Sequence, residues 1–396
     1  MNRLPLEGVR VLDLSTVLAG PVTATFLGDF GADVVKVEEP RRGDFTRGSE
    51  DGGRSPHWAQ EARNKRSVTC DLRTPTGQDL VRRLLPHFDV VVTNFRPPTL
   101  DDWGLAPEAL LALSPRSVIA CITAYGLSGP HRDRGAFDRI ASSYAGLTHV
   151  TGYEDQPPVR SGYAVIDYMS AYLAAFGIMV ALYGRDVHGG AGQVLDLALY
   201  EAAFRASEDS LVRHAVDGTV RERSGNTNER IVPATDFLTK DGRRVSVHAG
   251  TDALFRKLAK AVGRPELADD ERYATRTGRI AYQAELYRLL TDWALTLTAD
   301  EITVRCTEAG VPASPLMTIA DIAHDPHYLA RGSIVSVPDE EFGMLPMPAP
   351  YPFLSRTPGS IRSTGPGLGS ANKEVYGELL GLDDDELAGL LDAGVI

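Results

Sequence analysis

The stretch GVRVLDLSTVLAGPVTATFLGDFGADVVKVE (Gly8–Glu38) has the pattern of a strand, a turn, a helix and a second strand. Apolar and β-branched residues predict strands at Val9–Leu14 and Asp33–Val37. A helical pattern covers Pro21–Phe30 between them. The turn Ser15–Pro21 leads into this helix, whose backbone N–H groups could receive an anion.

The alternation of strands and helices continues to residue 126. Further strands are predicted at Ser67–Leu72, Asp89–Asn94 and Ser117–Thr123, and further helices at Thr76–Leu85 and Pro107–Leu113. This pattern predicts an α/β fold with a doubly wound, Rossmann-like parallel sheet, whose switch point would form a ligand crevice at the strand carboxyl ends. Neither G-x-G-x-x-G after a strand nor the Walker phosphate loop occurs, so NAD and ATP are not expected ligands.

A smaller α+β domain is predicted in the middle of the chain. Its elements are an irregular polar stretch at Gly218–Leu238, a hairpin at Phe237–Val247 turning at Asp241-Gly242, and helices at Asp252–Val262, Arg279–Leu297 and Ala299–Ala309. An extended segment at Pro346–Pro358 and a helix at Lys373–Leu380 follow. We therefore expect a large domain from residues 1–215 and 330–396, and a small domain with linkers from 216–329.

Composition indicates a globular enzyme, with 396 residues of which 43% are hydrophobic and 24% charged. The net charge of −12 argues against a nucleic-acid binder, so an anionic ligand would need a local cluster of cations. The three cysteines, Cys70, Cys121 and Cys306, form neither a disulfide framework nor a zinc spacing. The amino terminus lacks a signal-peptide core, and a cytoplasmic location is expected.

The segment Ser161–Gly184 is uncharged except for Asp167, which stands where an apolar helix should begin. A membrane span is disfavoured because Asp167 lies inside it and no second span exists to pair it. Two interpretations remain: Asp167 caps the helix, or the helix N-terminus holds it ionised as a nucleophile. Spacing alone favours the cap and leaves the nucleophile open.

Three short polar turns flank predicted strands. They are Asn64–Ser67, Asn94–Pro97 and, after Tyr125-Gly126, His131–Arg134. Singly, each is more typical of solvated surface. Together they would place Lys65, Arg66, Arg96, Arg132 and Arg134 near strand ends of one sheet, where phosphates bind. Phe95 could stack on an adenine ring or fill the core. A serine elbow (Gly126–Pro130, one residue short) and a metal site at His324 and His327 are poorly supported.

The chain resembles the class III CoA-transferase family, also called the CaiB/BaiF family, over its whole length. The order and spacing of the matching segments carry the resemblance. They are Gly8–Leu14, Ala19-Gly20-Pro21, Gly31–Glu38, Gly43-Asp44 with Arg47, Asn64–Ser67, Asp71-Leu72, Asn94–Pro97, Tyr125-Gly126, Phe137-Asp138, Gly189–Gln193, Gly310–Pro312 and Asp325-Pro326.

The resemblance implies a large Rossmann-like domain from both chain ends, a small domain from the middle and an interlocked homodimer. It implies that Asp167 is the covalent nucleophile. With the polar turns, it places the CoA contacts at Thr16, Val17, Leu18, Ala19, Lys65, Arg66, Asn94, Phe95, Arg96, Tyr125, Arg134 and Asp138.

The implied reaction moves coenzyme A from an acyl-CoA donor to a small carboxylic acid through an aspartyl anhydride and an aspartyl thioester. A thioester is exchanged for a thioester, so no metal, NAD or ATP is expected, and neither nucleic acid nor membrane is an expected partner. The carboxylate should be ionised and desolvated. Backbone N–H groups of Ser15–Ala19 are candidates for stabilising the oxyanion.

Two alternatives are a 2-methylacyl-CoA racemase and a non-catalytic CoA-binding partner subunit. Racemases of the family place a histidine where this chain has Phe137, which cannot transfer a proton, and Asp167 argues against an inactive subunit. Leu18 and the missing glycine run at 215–250 disfavour an oxalate/formate pair. The acceptor is not identified; Arg223, Asn226, Asn228 and Arg230 could bind its second carboxylate, although an exposed loop is the commoner role.

Overall fold

The computed structural model describes residues 3–48, 54–228 and 230–396. The chain divides into two compact units. The first comprises Met1–Leu147, Ser161–Leu211 and Ala330–Ile396, and the second comprises Thr148–Arg160 and Val212–Leu329.

The first unit is built on a six-stranded sheet with the order β3-β2-β1-β4-β5-β6. Its strands are β1 (Arg10–Asp13), β2 (Asp33–Glu38), β3 (Lys65–Thr69), β4 (Val90–Thr93), β5 (Val118–Thr123) and β6 (Val194–Ala198). Every neighbouring pair is parallel. The predicted parallel sheet is confirmed, and the strand order reverses between β1 and β4, where doubly wound folds bind ligands.

Helices cover both faces of the sheet. They are α1 (Ala19–Asp29), α2 (Pro56–Glu61), α3 (Pro75–Leu84), α4 (Pro97–Asp102), α5 (Pro107–Leu113), α6 (Asp138–Tyr144), α7 (Val165–Val187) and α8 (Leu199–Arg205). The next helix, α9 (Ser210–Asp217), has no buried residue, and most of it belongs to the second unit.

Side chains along each buried strand alternate between the two faces of the sheet, and each face packs against its own set of helices. Leu12 and Val35 pack with residues of α3 and α5 in one core, whereas Val11 and Val34 pack with residues of α1 and α7 in the other. Successive side chains of a strand point to opposite faces, so near-continuous apolar strands need a helix layer on each side. The sequence of these strands therefore specifies a three-layer unit.

The second unit contains a three-stranded antiparallel sheet, β7-β8-β9, and a group of helices. Its elements are β7 (Ala234–Leu238), β8 (Arg244–His248), α10 (Asp252–Ala261), α11 (Arg276–Ala281), α12 (Gln283–Ala294), α13 (Ala299–Ala309), β9 (Ala313–Pro315), α14 (Ile319–His324) and α15 (Pro326–Ala330). The single helix predicted at Arg279–Leu297 is wrong, because the helix breaks at Tyr282, whose ψ is 26°.

The carboxyl-terminal segment belongs to the first unit. It forms an antiparallel hairpin, β10 (Ile334–Asp339) and β11 (Gly343–Pro348), and then α16 (Asn372–Leu380) and α17 (Asp384–Asp392). Val375, Tyr376 and Ile396 join the core on the α3 face. The strand at Gly343–Pro348 and the helix at Asp384–Asp392 lay outside the sequence-based prediction.

The domain division stays a prediction, and the two compact units differ from it in detail. Residues 148–160 belong to the second unit rather than the first. Hydrogen bonds account for this, because Arg223 donates to the carbonyls of His149 and Tyr153, and the Gly225 N–H donates to Gly152.

Helix α7 is the only helix among the described residues with the length and apolar composition that a membrane span would need. It carries Asp167 in its first turn and Arg185 in its last, and Ile166, Ala174 and Ile178 are buried in the core of the first unit. Packing of this kind suits a core helix of a globular unit. The three cysteines are free and buried, and the cytoplasmic location stays a prediction.

Candidate active site

A cavity of about 680 Å³ opens at the switch point between β1 and β4. Its walls come from the turn after β1, the segment after β4, the start of α6 and the first turn of α7. The lining residues are Thr16, Val17, Leu18, Ala19, Asn94, Phe95, Arg96, Thr99, Trp103, Ile122, Ala124, Gly135, Ala136, Phe137, Ile140, Asp167 and Leu199. This volume is within the range of small-molecule sites.

The cavity brings together eight of the thirteen predicted site residues. These are Thr16, Val17, Leu18, Ala19, Asn94, Phe95, Arg96 and Asp167. Because parallel strands end at one edge of the sheet, segments far apart in sequence meet there. Arg96 and Asp167 are the charged residues of this lining.

The other five predicted residues do not line this cavity. Lys65 and Arg66 lie at the start of β3, which follows Asn64, with φ at 60°, and begins two residues before the predicted strand at Ser67. Lys65 is fully buried against Asp13, and Arg66 forms ion pairs with Asp33 and Glu374. Neither is included in the site that we propose.

Tyr125 packs edge-on against Tyr144 and His131, at ring-centroid distances of 5.0 and 5.6 Å. Arg134 is exposed and precedes Gly135, which does line the cavity. Asp138 accepts backbone N–H groups from α7, and so has a structural contact where a CoA contact was predicted.

The turn after β1 is held by side-chain acceptors. The N–H of Ser15 donates to Asp13 at 3.1 Å, that of Thr16 to Asn94 at 2.8 Å, and that of Val17 to Asp44 at 3.2 Å. The Asn94 amide also donates to the Thr16 carbonyl, at 2.6 Å. These three N–H groups are therefore occupied, and within the predicted range Ser15–Ala19 only those of Leu18 and Ala19 stay candidates for stabilising an oxyanion.

Val17 has a φ of 69°, in the left-handed region. A β-branched residue adopts this conformation at a cost of roughly 1–3 kcal/mol, and only where its surroundings impose it. Here Asn94 and Asp44 hold the two peptide groups that precede the Val17 Cα. The turn is therefore a fixed structure that presents Leu18 and Ala19 to the cavity.

A buried ionic network lies beneath this turn. The Lys36 ammonium donates to the Ser15 carbonyl and lies 3.3 Å from Asp44 and 3.9 Å from Asp13. Lys65 lies 2.9 Å from the second oxygen of Asp13. Burial acts to raise the pKa of Asp13, but Lys36 and Lys65 outweigh it and the pKa is lowered. Burial acts to lower the pKa of Lys36, but Asp13 and Asp44 outweigh it and the pKa is raised.

Helix α1 begins directly after the turn. The N–H groups of Leu18 and Ala19 have no hydrogen-bond acceptor within the part of the chain that the structure describes. A side chain on Gly20 would come within 2.3 Å of Ser15, so the first helical turn lies close to the fixed loop. Unpaired N–H groups at a helix N-terminus favour negative charge.

Asp167 is the third residue of α7, and the residue before the helix, Ala164, has no side-chain oxygen to cap it. Asp138 supplies the cap from another element, accepting the N–H of Ile166 at 2.8 Å and that of Asp167 at 3.4 Å. The interpretation of Asp167 as the helix cap is therefore wrong.

The Asp167 carboxyl is also not held in its ionised form by the helix. Burial raises its pKa to about 7, and the negative charge of Asp138 adds to the rise. The donors of the first turn serve Asp138, so their stabilisation of an Asp167 anion is reduced. Asp167 is consequently a basic carboxylate that titrates near neutral pH.

A second cavity, of about 250 Å³, adjoins the first and shares Thr16, Phe95 and Trp103 with it. Its other walls include Lys36, Asp44 and Arg73. The rings of Phe95 and Trp103 meet edge to face at 4.9 Å. Sequence analysis missed Arg73 and Trp103; a tryptophan shortly after Phe95 is a signal that could have found the latter.

The model of the family described as CoA-transferase family III matches residues 6–372. The chain belongs to this family. The predicted family and the predicted class of enzyme are confirmed.

Curated relatives of this CoA-transferase include two named for succinyl-CoA or succinate as one partner. The chain is 44% identical to succinyl-CoA–D-citramalate CoA-transferase of Chloroflexus aurantiacus, covering 99% of this chain and 98% of the relative. It is 34% identical to succinate–glutarate CoA-transferase of Agrobacterium fabrum, covering 95% and 96%.

Among solved structures, a CaiB/BaiF family protein from Brucella suis superimposes with a TM-score of 0.84 at 33% identity. The match covers 96% of this chain and 100% of that protein. The fold of the first unit is therefore the fold of the family.

Replacement of Lys65 by Met should destabilise this CoA-transferase by about 3–5 kcal/mol, because it leaves Asp13 buried with one cation fewer. Lys373→Met is the matched control, since its pair with Asp384 is 78% and 73% exposed. It should cost about 0–1 kcal/mol. Urea unfolding measures both, and equal losses in the two variants would show that the buried network does not stabilise the fold.

Proposed function

We propose that this enzyme transfers coenzyme A from an acyl-CoA thioester to a free carboxylic acid, with Asp167 as the covalent nucleophile. One observation carries the proposal: Asp167 lines the same cavity as Leu18 and Ala19, whose N–H groups are unpaired among the described residues. A nucleophile and an oxyanion donor facing one space are what attack on a thioester requires.

The covalent steps balance without another reactant. An Asp167 oxygen attacks the thioester carbonyl, the C–S bond breaks, and CoA thiolate leaves a mixed anhydride. The thiolate attacks the Asp167 carbonyl and releases the donor acid, which leaves an aspartyl-CoA thioester. The acceptor carboxylate then attacks this thioester, and the thiolate takes the new acyl group and frees Asp167.

The oxyanion of each tetrahedral intermediate needs donors that water does not supply. Leu18 and Ala19 are the donors that we assign, because the three preceding N–H groups are occupied by Asp13, Asn94 and Asp44. Losing one preorganised donor typically costs about 10²–10³ in kcat. The turn after β1 would thereby increase the rate of transfer, because it holds the N–H groups of Leu18 and Ala19 in place before the substrate binds.

Coenzyme A would extend from Asp167 towards the second cavity. Arg96 forms no ion pair among the described residues, so its guanidinium is available to the CoA phosphates. Phe95 and Trp103 line both cavities and offer aromatic surface to the adenine. Arg73 lines the second cavity and is the further cation that we add to this site.

We assign dicarboxylic acids and their CoA thioesters as the substrates, because curated relatives carry succinyl-CoA or succinate in their names. Succinyl-CoA is therefore the first donor to test. Two residues predicted for the second carboxylate are used otherwise. Arg223 donates to the His149 carbonyl at 2.8 Å and Asn226 donates to Asp236 at 2.8 Å. Neither belongs to our proposal for the acceptor site.

The racemase alternative needs a proton-transfer group on each face of the substrate Cα. Phe137 lines the cavity at the position where family racemases carry histidine, and its ring cannot accept a proton. A non-catalytic subunit would not need a cavity-lining carboxyl, such as Asp167, whose pKa is raised to about 7. Both alternatives remain outcomes of the test below.

Incubation with succinyl-CoA followed by hydroxylamine should convert the Asp167 carboxyl to a hydroxamate, detected by mass spectrometry of the peptide. Asp167→Asn should lose this adduct and lower kcat by roughly four orders of magnitude, because the amide is not a nucleophile. Asp79→Asn, an exposed site on α3, is the matched control and should leave both unchanged.

An adduct on another residue would remove Asp167 as the nucleophile. Deuterium uptake at C2 of a branched acyl-CoA, without an adduct, would favour the racemase. If no donor gave either an adduct or deuterium uptake, the result would favour the non-catalytic subunit.

We also propose that the enzyme is a homodimer, interlocked as the family resemblance implies. One face of α7 exposes Phe176, Val180 and Tyr183, which are 67%, 55% and 60% accessible in the single chain. Their spacing places them on one side of the helix. A second copy of this chain is the occupant that we assign to this apolar face, since such faces mark interaction sites.

Sedimentation equilibrium at micromolar concentration should give a dimer for the native protein. Phe176→Glu should weaken it, because a charge would be buried without a partner. Leu391→Glu is the matched control, since Leu391 is 63% exposed on α17. A monomeric native protein, or equal behaviour of the two variants, would contradict this assignment.

A further inference from the structure

Asp138 lies between the N-termini of two helices. It is the first residue of α6, and its carboxylate accepts the N–H groups of Ile166 and Asp167 in the first turn of α7. Helix caps usually come from the residue directly before the helix, but Ala164 occupies that position here. The carboxylate that completes α7 is therefore supplied by a separate element.

We propose that Asp138 is a positioning residue that fixes the first turn of α7 and destabilises the free Asp167 carboxylate relative to its acylated forms. This inference rests on the proposed function of Asp167. It assigns no contact between Asp138 and the substrate.

The hydrogen bonds give the positioning part of this role. The N–H of Asp167 itself donates to Asp138, so the backbone that carries the nucleophile is tied to α6. Tyr168 on the next position is tied separately, because its hydroxyl donates to Glu61 at 2.8 Å. The start of α7 is thereby held on two sides, and the Asp167 side chain projects from a fixed turn.

The change in charge during the reaction gives the energetic part. Free enzyme carries two neighbouring carboxylates when Asp167 is ionised, whereas the anhydride and the thioester at Asp167 are both neutral. The negative charge leaves with the thiolate in the first step and with the released acid in the second. Repulsion from Asp138 is therefore present before acylation and absent afterwards, which favours the covalent intermediates.

The surroundings of α7 offer other charged or titratable groups. They are Asp29 on α1, Glu61 on α2 and Arg63 after it, Arg139 and Tyr144 on α6, Cys121 on β5, Asp196 on β6, Tyr200, Glu201 and Arg205 on α8, and Arg96 across the cavity. Asp29 is paired with Arg63, Asp196 accepts the Leu127 N–H, and Glu201 accepts the Ala198 N–H. Asp138 is the group whose charge raises the pKa of Asp167, after burial itself.

The ionisation of Asp167 determines the direction in which the acylation rate changes with pH. Asp167 attacks as the carboxylate, so the rate of acylation should fall as the pH falls through the pKa of Asp167, about 7. Asp138→Asn keeps an oxygen that can cap α7 but removes the charge. It should shift this inflection down by about one pH unit, so that at pH 6 the variant retains a larger share of its maximal rate than the native enzyme.

The covalent population should change in parallel. One unit of pKa corresponds to a tenfold change in equilibrium. The ratio of aspartyl-CoA thioester to free enzyme at a fixed ratio of donor to acid, at pH above the inflection, should therefore fall by about tenfold in Asp138→Asn. A residue with a purely structural role would lower stability without moving either quantity.

The experiment follows the first half-reaction by rapid quench from pH 5 to 9, with succinyl-CoA as donor. Asp383→Asn is the matched control, because Asp383 caps α17 in the same way by accepting the Glu386 N–H. Its profile should coincide with the native one. Asp138→Ser provides a second uncharged cap if Asp138→Asn does not fold, and the same downward shift is expected.

An inflection that stays in place or rises in both variants, while hydroxylamine still traps Asp167 in the native enzyme, would overturn the inference alone. Failure to trap Asp167 in the native enzyme would overturn the proposed function instead. The two failures are therefore distinguishable within one set of samples.

Discussion

The buried ammonium of Lys36 is the constraint on which the site depends. It contacts the Ser15 carbonyl and lies between the carboxylates of Asp13 and Asp44, where it is 1% exposed. Two charges of opposite sign in a dry interior are stable only when each is paired and hydrogen-bonded. The contacts that pair the Lys36 ammonium fix the end of β1 at Asp13, the end of β2 and the loop that contains Asp44. The left-handed Val17, and hence the start of α1, follow from that arrangement.

The two helix N-termini at the cavity have different tasks. Helix α1 keeps the N–H groups of Leu18 and Ala19 unpaired among the described residues, so it can stabilise charge that develops on a substrate. Helix α7 gives N–H groups of its first turn to Asp138, so its stabilisation of the charge on Asp167 is reduced. The basic carboxylate of Asp167 and the unpaired N–H groups of Leu18 and Ala19 thus both lie at a helix N-terminus, although the two helices use their first donors differently.

The fold was largely predictable, because the strands of the large sheet are mostly short apolar, β-branched runs and several of the connecting segments have helical periodicity. The predicted helices at Pro107–Leu113 and Ala299–Ala309 match the structure. The contacts of Lys36 and the capping by Asp138 were not predictable, since both join residues distant in sequence. Sequence rules for helix caps consider only residues near the helix start. They therefore predicted Asp167 as the cap of α7, whereas Asp138 from α6 caps it. A lysine inside the apolar strand Asp33–Glu38 was the available signal for the buried network.

Isotope transfer from the acceptor acid tests the central claim most directly. The native enzyme is supplied with succinyl-CoA and an acceptor carboxylate labelled with oxygen-18, and the peptide containing Asp167 is weighed after several turnovers. Attack by the acceptor on an aspartyl thioester leaves an acceptor oxygen on Asp167, so the account predicts a labelled Asp167 and label in the released succinate. An unlabelled Asp167 after complete turnover would contradict covalent transfer through this residue.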